Sequence, residues 1–387
     1  MYNFDAIVER KHTDCVKWDD LIKRYGENDI IPMGVADMDF ACCDKIVEAV
    51  TERAKHPVYG YQSGVEDILL PLVVDRYNKR GYNITRDDIV LATGVVYYLD
   101  RIISSFSKEG DGIVLPEPFY TPFEMLINKN NRTVVPCPMK IENERYVLDL
   151  QAIEDKMDDS VTMFIFCNPH NPTGRIYDED ELKEVADFCE KHHLLIIDDE
   201  IHSDFALDKP FKTILNITPY ARENTFVALS STKTFNLAGL KISFGFIPNK
   251  ERKEKFLKDS AHTGLNAVNI FGVEAMRTAY RDCQQWEKEL VEYLKGNCDY
   301  AYNFIKERIP SIKLLKNEGT YLLWLDMRDC GIEYDKLIET LIEKGQIQLN
   351  DGDHYGAKFK GYARMNCALP RSLLAEALNR LEKVVNG

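Results

Sequence analysis

The sequence predicts an α/β protein, with a large domain on a mostly parallel sheet and a smaller α+β domain after it. Three observations predict it. Near-continuous apolar runs such as 161–166 and 194–197 recur between amphipathic helices, the mark of strands covered on both faces. A chain of 387 residues is too long for one small core. After about residue 280 the alternation stops, and a long amphipathic helix leads into sparser strands.

Residues 1–45 read as an irregular arm whose stretch from Pro32 to Phe40 is apolar enough to pack on the body. A helix is expected over 46–54, a loop over 59–64 and a second helix over 65–80. Strand 89–92, turn 93–96 and helix 97–106 follow. Strand 112–115 ends at Pro116-Glu117-Pro118, while 120–128 reads as helix and 133–135 as strand. Residues 150–157 are expected to be helical and 161–166 a fully apolar strand. Asp178 opens a helix whose acidic first turn suits the macrodipole. Its inner face is Leu182, Val185, Ala186 and Cys189. Strand 194–197 runs into Asp198-Asp199-Glu200, strand 226–229 into Ser230, and 242–247 completes a seven-stranded sheet. Helix 285–309 turns Trp286, Leu290, Leu294, Ala301, Phe304 and Ile305 inward. Strand 321–325, a helix near 334–344, two short strands and a terminal helix from Ser372 finish the chain. The expected division is an arm over 1–45 joining the small domain, a large domain over 46–285 and a small domain over 286–387.

Composition narrows the function. Hydrophobic residues make up 45% and charged residues 29%, as in ordinary globular proteins. A net charge of −14 argues against a general nucleic-acid or anionic-membrane binder, so any phosphate must be caught locally. The start, Met1-Tyr2-Asn3-Phe4-Asp5, lacks the basic and apolar regions of an export signal, and a cytoplasmic location is expected. Ten cysteines without a Cys-x-x-Cys pair read as reduced thiols. Eight histidines show no His-Glu-x-x-His spacing, and no metal site is expected.

In open parallel sheets, ligands gather beyond the carboxyl ends of strands. The residues there are chemically suggestive. Thr93-Gly94-Val95-Val96 is a strand-to-helix turn whose amides suit a phosphate. Asn168-Pro169-His170-Asn171-Pro172-Thr173-Gly174 is a doubled turn carrying an amide, and Asp199 ends the next strand. Lys233 follows the strand after that. A lone lysine is more often a solvated loop residue, but a desolvated amine near Lys241 would lose its proton readily and attack carbonyls. An amine, a carboxylate, an amide and a phosphate turn together describe a site for pyridoxal 5′-phosphate (PLP). No glycine fingerprint for dinucleotides or nucleoside triphosphates competes.

Asn-Pro-His-Asn-Pro-Thr-Gly-Arg, Asp-Asp-Glu-Ile-His-Ser-Asp and Ser-Thr-Lys-Thr-Phe-Asn-Leu-Ala-Gly-Leu together resemble the MalY/PatB class of carbon–sulfur lyases. These are cystathionine β-lyase-like, fold-type I PLP enzymes of the class I/II aminotransferase superfamily. The likeness runs from Val35-Ala36-Asp37-Met38-Asp39-Phe40 to Arg364-Met365-Asn366-Cys367. It implies that Lys233 attaches the cofactor and then serves as acid and base. It implies Asp199 against the pyridine nitrogen, Asn171 and His202 at the ring oxygen, and Tyr120 stacked on the ring. Phosphate would take the amides of Val95 and Val96, Ser230, Lys241, and Tyr61 or Tyr59 from the neighbouring subunit of a homodimer. Arg364 would clamp the substrate carboxylate, beside Asn171 and Tyr120. Gly34 lies in a stretch where relatives often carry tryptophan. The implied reaction is β-elimination from cystathionine or a cysteine conjugate. The alternatives are an aminotransferase using the same residues, or a lyase with a secondary regulatory role.

Overall fold

The computed structural model describes residues 2–264 and 267–387. Its strands are β1 (Ile31–Pro32), β2 (Ile89–Ala92), β3 (Gly112–Glu117), β4 (Thr133–Glu142), β5 (Arg145–Leu148), β6 (Val161–Cys167) and β7 (Leu195–Asp199). After these come β8 (Thr225–Leu229), β9 (Ser243–Phe246), β10 (Leu322–Asp326), β11 (Ile347–Gln348), β12 (Asn350–Asp351) and β13 (Tyr362–Asn366). The large sheet runs β2-β9-β8-β7-β6-β3-β4-β5. The pairs from β8 through β7, β6 and β3 to β4 are parallel, while β9 lies antiparallel to both β2 and β8. The eighth strand, β5, folds back on an extended β4 as a hairpin. The sequence expectation of seven strands omitted it because Arg145–Leu148 is half-buried and lacks an apolar run.

Helices cover both faces, as continuous apolar strands require. Phe226 and Ala228 of β8 pack with Tyr98, Leu99 and Ile102 of the helix Val95–Phe106. Val227 and Leu229 point the other way, toward Leu69, Val73 and Met276. Alternation along one strand thus serves two cores. Gly245 on β9 is needed for the first: a Cβ there would stand 2.1 Å from the Tyr98 ring.

The long helix Gln284–Arg308 joins two cores. Trp286, Leu290 and Leu294 belong to the one beneath the large sheet, whereas Ala301, Phe304 and Ile305 pack with β10, β13 and the terminal helix Arg371–Asn386. The arm divides the same way, Phe4 and Phe40 going to the first core and Ile31 and Met33 to the second. It also holds a helix, Val16–Tyr25, where the sequence suggested irregular chain. Residues 150–156 form 3₁₀ turns.

Candidate active site

The topology gathers the reactive residues on one sheet edge. Because β9 is antiparallel to its neighbours, the carboxyl ends of β2, β8, β7 and β6 point the same way, and the start of β9 lies beside them. Register places Cys167 opposite Asp199, and Asp199 opposite Ala228. Past β8, Ser230 caps the short helix Ser231–Thr234 by accepting from the Thr232 N–H, which delivers Lys233 to the edge. A cavity of about 280 Å³ opens there, walled by Tyr120, Asn171, Asp199, His202, Thr232 and Lys233. Val95, Val96 and Lys241 line it as well. The amides of Val95 and Val96 open the helix Val95–Phe106, so they have no acceptor within it.

The lysine is held by the arm. Its Nζ donates to the Ala36 carbonyl at 2.5 Å, and the Tyr321 hydroxyl donates to the same oxygen at 3.1 Å. Two residues earlier, the Gly34 carbonyl accepts from Arg364 Nη2 at 2.6 Å, while Arg364 Nη1 donates to Asn171 Oδ1 at 3.1 Å. Residues 34–39 therefore form a strap across the site. Asn366 Nδ2 donates to the carbonyls of Val35 and Asp37, and Asn236 Nδ2 to those of Met38 and Phe40. Arg10 grips Asp37 and Asp39, and buried Lys17 meets Asp39 at 2.7 Å.

Burial sets the charge states. It pushes the Lys233 amine down to about 8, the positive Arg364 adding to the effect while Asp37 and Asp199 oppose it. It lifts the Asp199 carboxyl to about 7, against a hydrogen bond from the Ile201 N–H and the charge of Lys233. His202 is driven well below its ordinary range by burial and by Lys233 and Arg364, so its imidazole is neutral. Its Nδ1 is buried without a hydrogen-bond partner among the described residues.

Residues 28–381 match the family model for aminotransferase class I and II. The chain belongs to that family. It is 33% identical to cystathionine beta-lyase PatB of Bacillus subtilis, the match covering 99% of this chain and 100% of PatB. Protein MalY of Escherichia coli is 31% identical, over 100% of this chain and 98% of MalY. A PLP-bound aminotransferase candidate from Clostridium difficile 630 superposes with a TM-score of 0.95 at 36% identity, both chains covered in full. Cystalysin of Treponema denticola, solved with PLP, gives 0.93 at 29% identity over 100% of this chain and 99% of that one. The fold is that of the fold-type I PLP transferases.

Within this aminotransferase fold, the residues singled out by sequence fall into three groups. Tyr120, Val95, Val96, Asn171, Asp199, His202, Lys233 and Lys241 line one cavity, and Arg364 adjoins it through Asn171. Ser230 turns away: it is buried, its hydroxyl donates to the Ile242 carbonyl at 2.6 Å and accepts from the Thr232 hydroxyl at 2.7 Å, and it is Thr232 that lines the cavity. Tyr59 and Tyr61 lie outside it. Tyr59 donates to the Ala54 carbonyl and packs on Phe271, whereas Tyr61 is fully exposed, at 109%. Sequence reasoning missed Tyr321, Cys167 and the carbonyls of Gly34 and Ala36. The arm motif was a visible signal, but backbone acceptors carry no residue signature.

Beside Asp199, the Asp198 and Glu200 side chains are both fully buried. Burial, and then the charge of Glu200, push the Asp198 carboxyl far above its usual range, so it keeps its proton; burial raises Glu200 as well, and the Tyr82 hydroxyl donates to its carboxylate. An acid whose pKa rises on folding contributes fully below its unfolded value near 4, and that contribution is lost as pH rises. An asparagine carries its amide hydrogens at every pH. Asp198→Asn is therefore expected to stabilise the holoenzyme by about 1–3 kcal/mol near neutrality. Thermal unfolding should show a gain in Tm of a few degrees that is larger at pH 8 than at pH 5; a gain independent of pH would refute the assignment.

Proposed function

We propose that this protein is a PLP-dependent carbon–sulfur β-lyase of the cysteine-S-conjugate type, cleaving cystathionine or a related thioether to a thiol, pyruvate and ammonia. The observation that carries the reading is the grouping of a desolvated Lys233, a buried Asp199 and the Arg364–Asn171 pair around one cavity. Full-length relatives that are cystathionine beta-lyases support the reaction class.

The cavity fits PLP. The orphaned Nδ1 of His202 offers a neutral partner for a ring oxygen, and Asp199 offers a carboxylate for a protonated ring nitrogen. Two helix-opening amides, Thr232 and Lys241 suit a phosphate. Lys233 would attach the aldehyde through its amine, and Tyr120 would cover the ring. Bound there, PLP supplies an electron sink for negative charge at the substrate Cα.

The side chains then have distinct tasks. Arg364 holds the α-carboxylate, and Asn171 fixes the angle of the guanidinium. Lys233 takes the Cα proton, with the Ala36 carbonyl keeping its amine in place. The Cβ–S bond breaks next, and the sulfur leaves as a thiol after taking up a proton. Water completes the conversion to pyruvate and ammonia. Incubation with L-cystathionine should release pyruvate and thiol in equal amounts. Amino transfer to a keto acid without thiol release would overturn the lyase reading in favour of an aminotransferase.

The fully exposed Tyr61 supports a homodimer in which this residue reaches the phosphate of the neighbouring site. Tyr59 is already committed to Ala54 within its own protomer. Tyr61→Phe and Lys233→Ala homodimers are each expected to be weakly active or inactive. Mixing them should restore activity, because one site then has both residues intact; a mixture no better than its parents would exclude the shared site.

A further inference from the structure

Arg364 is a buried cation that waits for an anion. It is 2% exposed, and its Nη groups donate to two uncharged oxygens, Asn171 Oδ1 and the Gly34 carbonyl. Its Nε–H has no partner among the described residues. A guanidinium desolvated in this way is costly until a carboxylate arrives, so other groups must hold it ready. Tyr355 meets that need. Its ring centre lies 5.3 Å from the guanidinium carbon. The negative face of an aromatic ring attracts a cation at that range, most strongly where water is excluded. Tyr355 is itself only 2% exposed.

The three-stranded sheet β10-β13-β12 is arranged around this contact. Trp324 of β10 and Asn350 of β12 stand directly across from Arg364 of β13, one on each side. Residues paired in this way put their side chains on one face. Both hold Tyr355. The Trp324 ring meets it edge-on, with centroids 5.1 Å apart at 68°, and Asn350 Nδ2 donates to its hydroxyl at 3.0 Å. The ring therefore cannot slide from the guanidinium without breaking contacts on both sides.

The backbone of the same turn, Gly352–Tyr355, grips another wall of the site. The Phe119 N–H donates to the Tyr355 carbonyl at 3.1 Å, and the Thr121 hydroxyl donates to the His354 carbonyl. These two bonds bracket Tyr120, which lines the cavity. One turn thus fixes both the arginine and the aromatic residue that faces it across the cofactor site. We propose that Tyr355 is a positioning residue for the substrate α-carboxylate, acting through Arg364, whose guanidinium its ring holds in place. The inference rests on Arg364 as the carboxylate clamp, the reading proposed above.

The test measures how fast aminooxyacetate and methoxyamine capture PLP in the holoenzyme, followed by cofactor absorbance. Both reagents displace Lys233 by the same chemistry, and only aminooxyacetate carries a carboxylate. The ratio of their rate constants therefore reports carboxylate recognition, and any loss of folded protein cancels out of it. Tyr355→Met keeps the bulk of the side chain without the ring and is expected to lower the ratio about tenfold. Tyr355→Phe restores the ring and should recover the ratio to within about threefold of wild type. Arg364→Met should lower it about 10²-fold or more. Adding Tyr355→Met to that variant should cost nothing further, since the ring then has no guanidinium to hold. A wild-type ratio in Tyr355→Met, or a further loss in the double variant, would overturn the positioning role and leave the clamp standing. A Tyr355→Phe ratio as low as that of Tyr355→Met would do the same, by assigning the effect to the hydroxyl. A wild-type ratio in Arg364→Met would remove the clamp itself, and the role of Tyr355 with it.

Discussion

Lys233→Ala is expected to lose at least about 10³–10⁴-fold in kcat and to bind PLP without a borohydride-reducible bond. In the proposed mechanism one side chain provides both the covalent attachment and the acid–base group, and positioned proton transfer alone is worth about 10²–10⁴-fold. Arginine cannot rescue it, because a guanidinium remains protonated. The environment adds a second observable. Burial, reinforced by Arg364, holds the Lys233 amine at about 8, and the neutral form is the nucleophile. The rate at which apoprotein captures PLP should therefore rise with pH and level off above about pH 8. A capture rate still climbing steeply near pH 10 would mean an ordinary solvated lysine.

Substitution of Arg364 separates charge from geometry. The guanidinium is 2% exposed and divided between Asn171 and the Gly34 carbonyl, an arrangement matched to a planar carboxylate. Removing such a buried charged contact costs roughly 2–5 kcal/mol, so Arg364→Met should lower kcat/KM by about 10²–10³-fold or more, chiefly through KM. It should also shift the Lys233 capture profile to higher pH, since a positive neighbour that disfavours the protonated amine is gone. Arg364→Lys keeps the charge and loses the fork. Its profile should stay near wild type while kcat/KM still falls steeply. A profile that moves equally in both variants would rule out the electrostatic coupling.

Tyr120, Asn171, Asp199 and Lys233 were legible because each stands just beyond a strand whose apolar run is unmistakable, and parallel sheets bring such ends together. Lys233 alone carried no weight; Asp199 and Asn171 at the neighbouring strand ends gave it meaning. The hairpin strand β5 was missed because it is half-buried and lacks an apolar run, and the arm helix Val16–Tyr25 because the side chains it buries, Lys17 and Asp19, are charged. Ser230 was assigned to phosphate by position in a motif. Its backbone at the helix cap directs the hydroxyl inward to Ile242.

The sequence by itself determined the class of fold, the order of the strand ends and the chemical types placed on them. These follow from local periodicity and from residues adjacent in the chain. Tertiary structure decided what those groups touch. Ala36 meets Lys233 across 197 positions, and Gly34 meets Arg364 across 330. Contacts at such separations arise from how the arm crosses the sheet edge, and no local pattern encodes them. The same packing leaves Tyr61 outside its own cavity and sets the Tyr355 ring against Arg364. Burial where the arm crosses, with Arg364 close by, is what lowers the Lys233 amine.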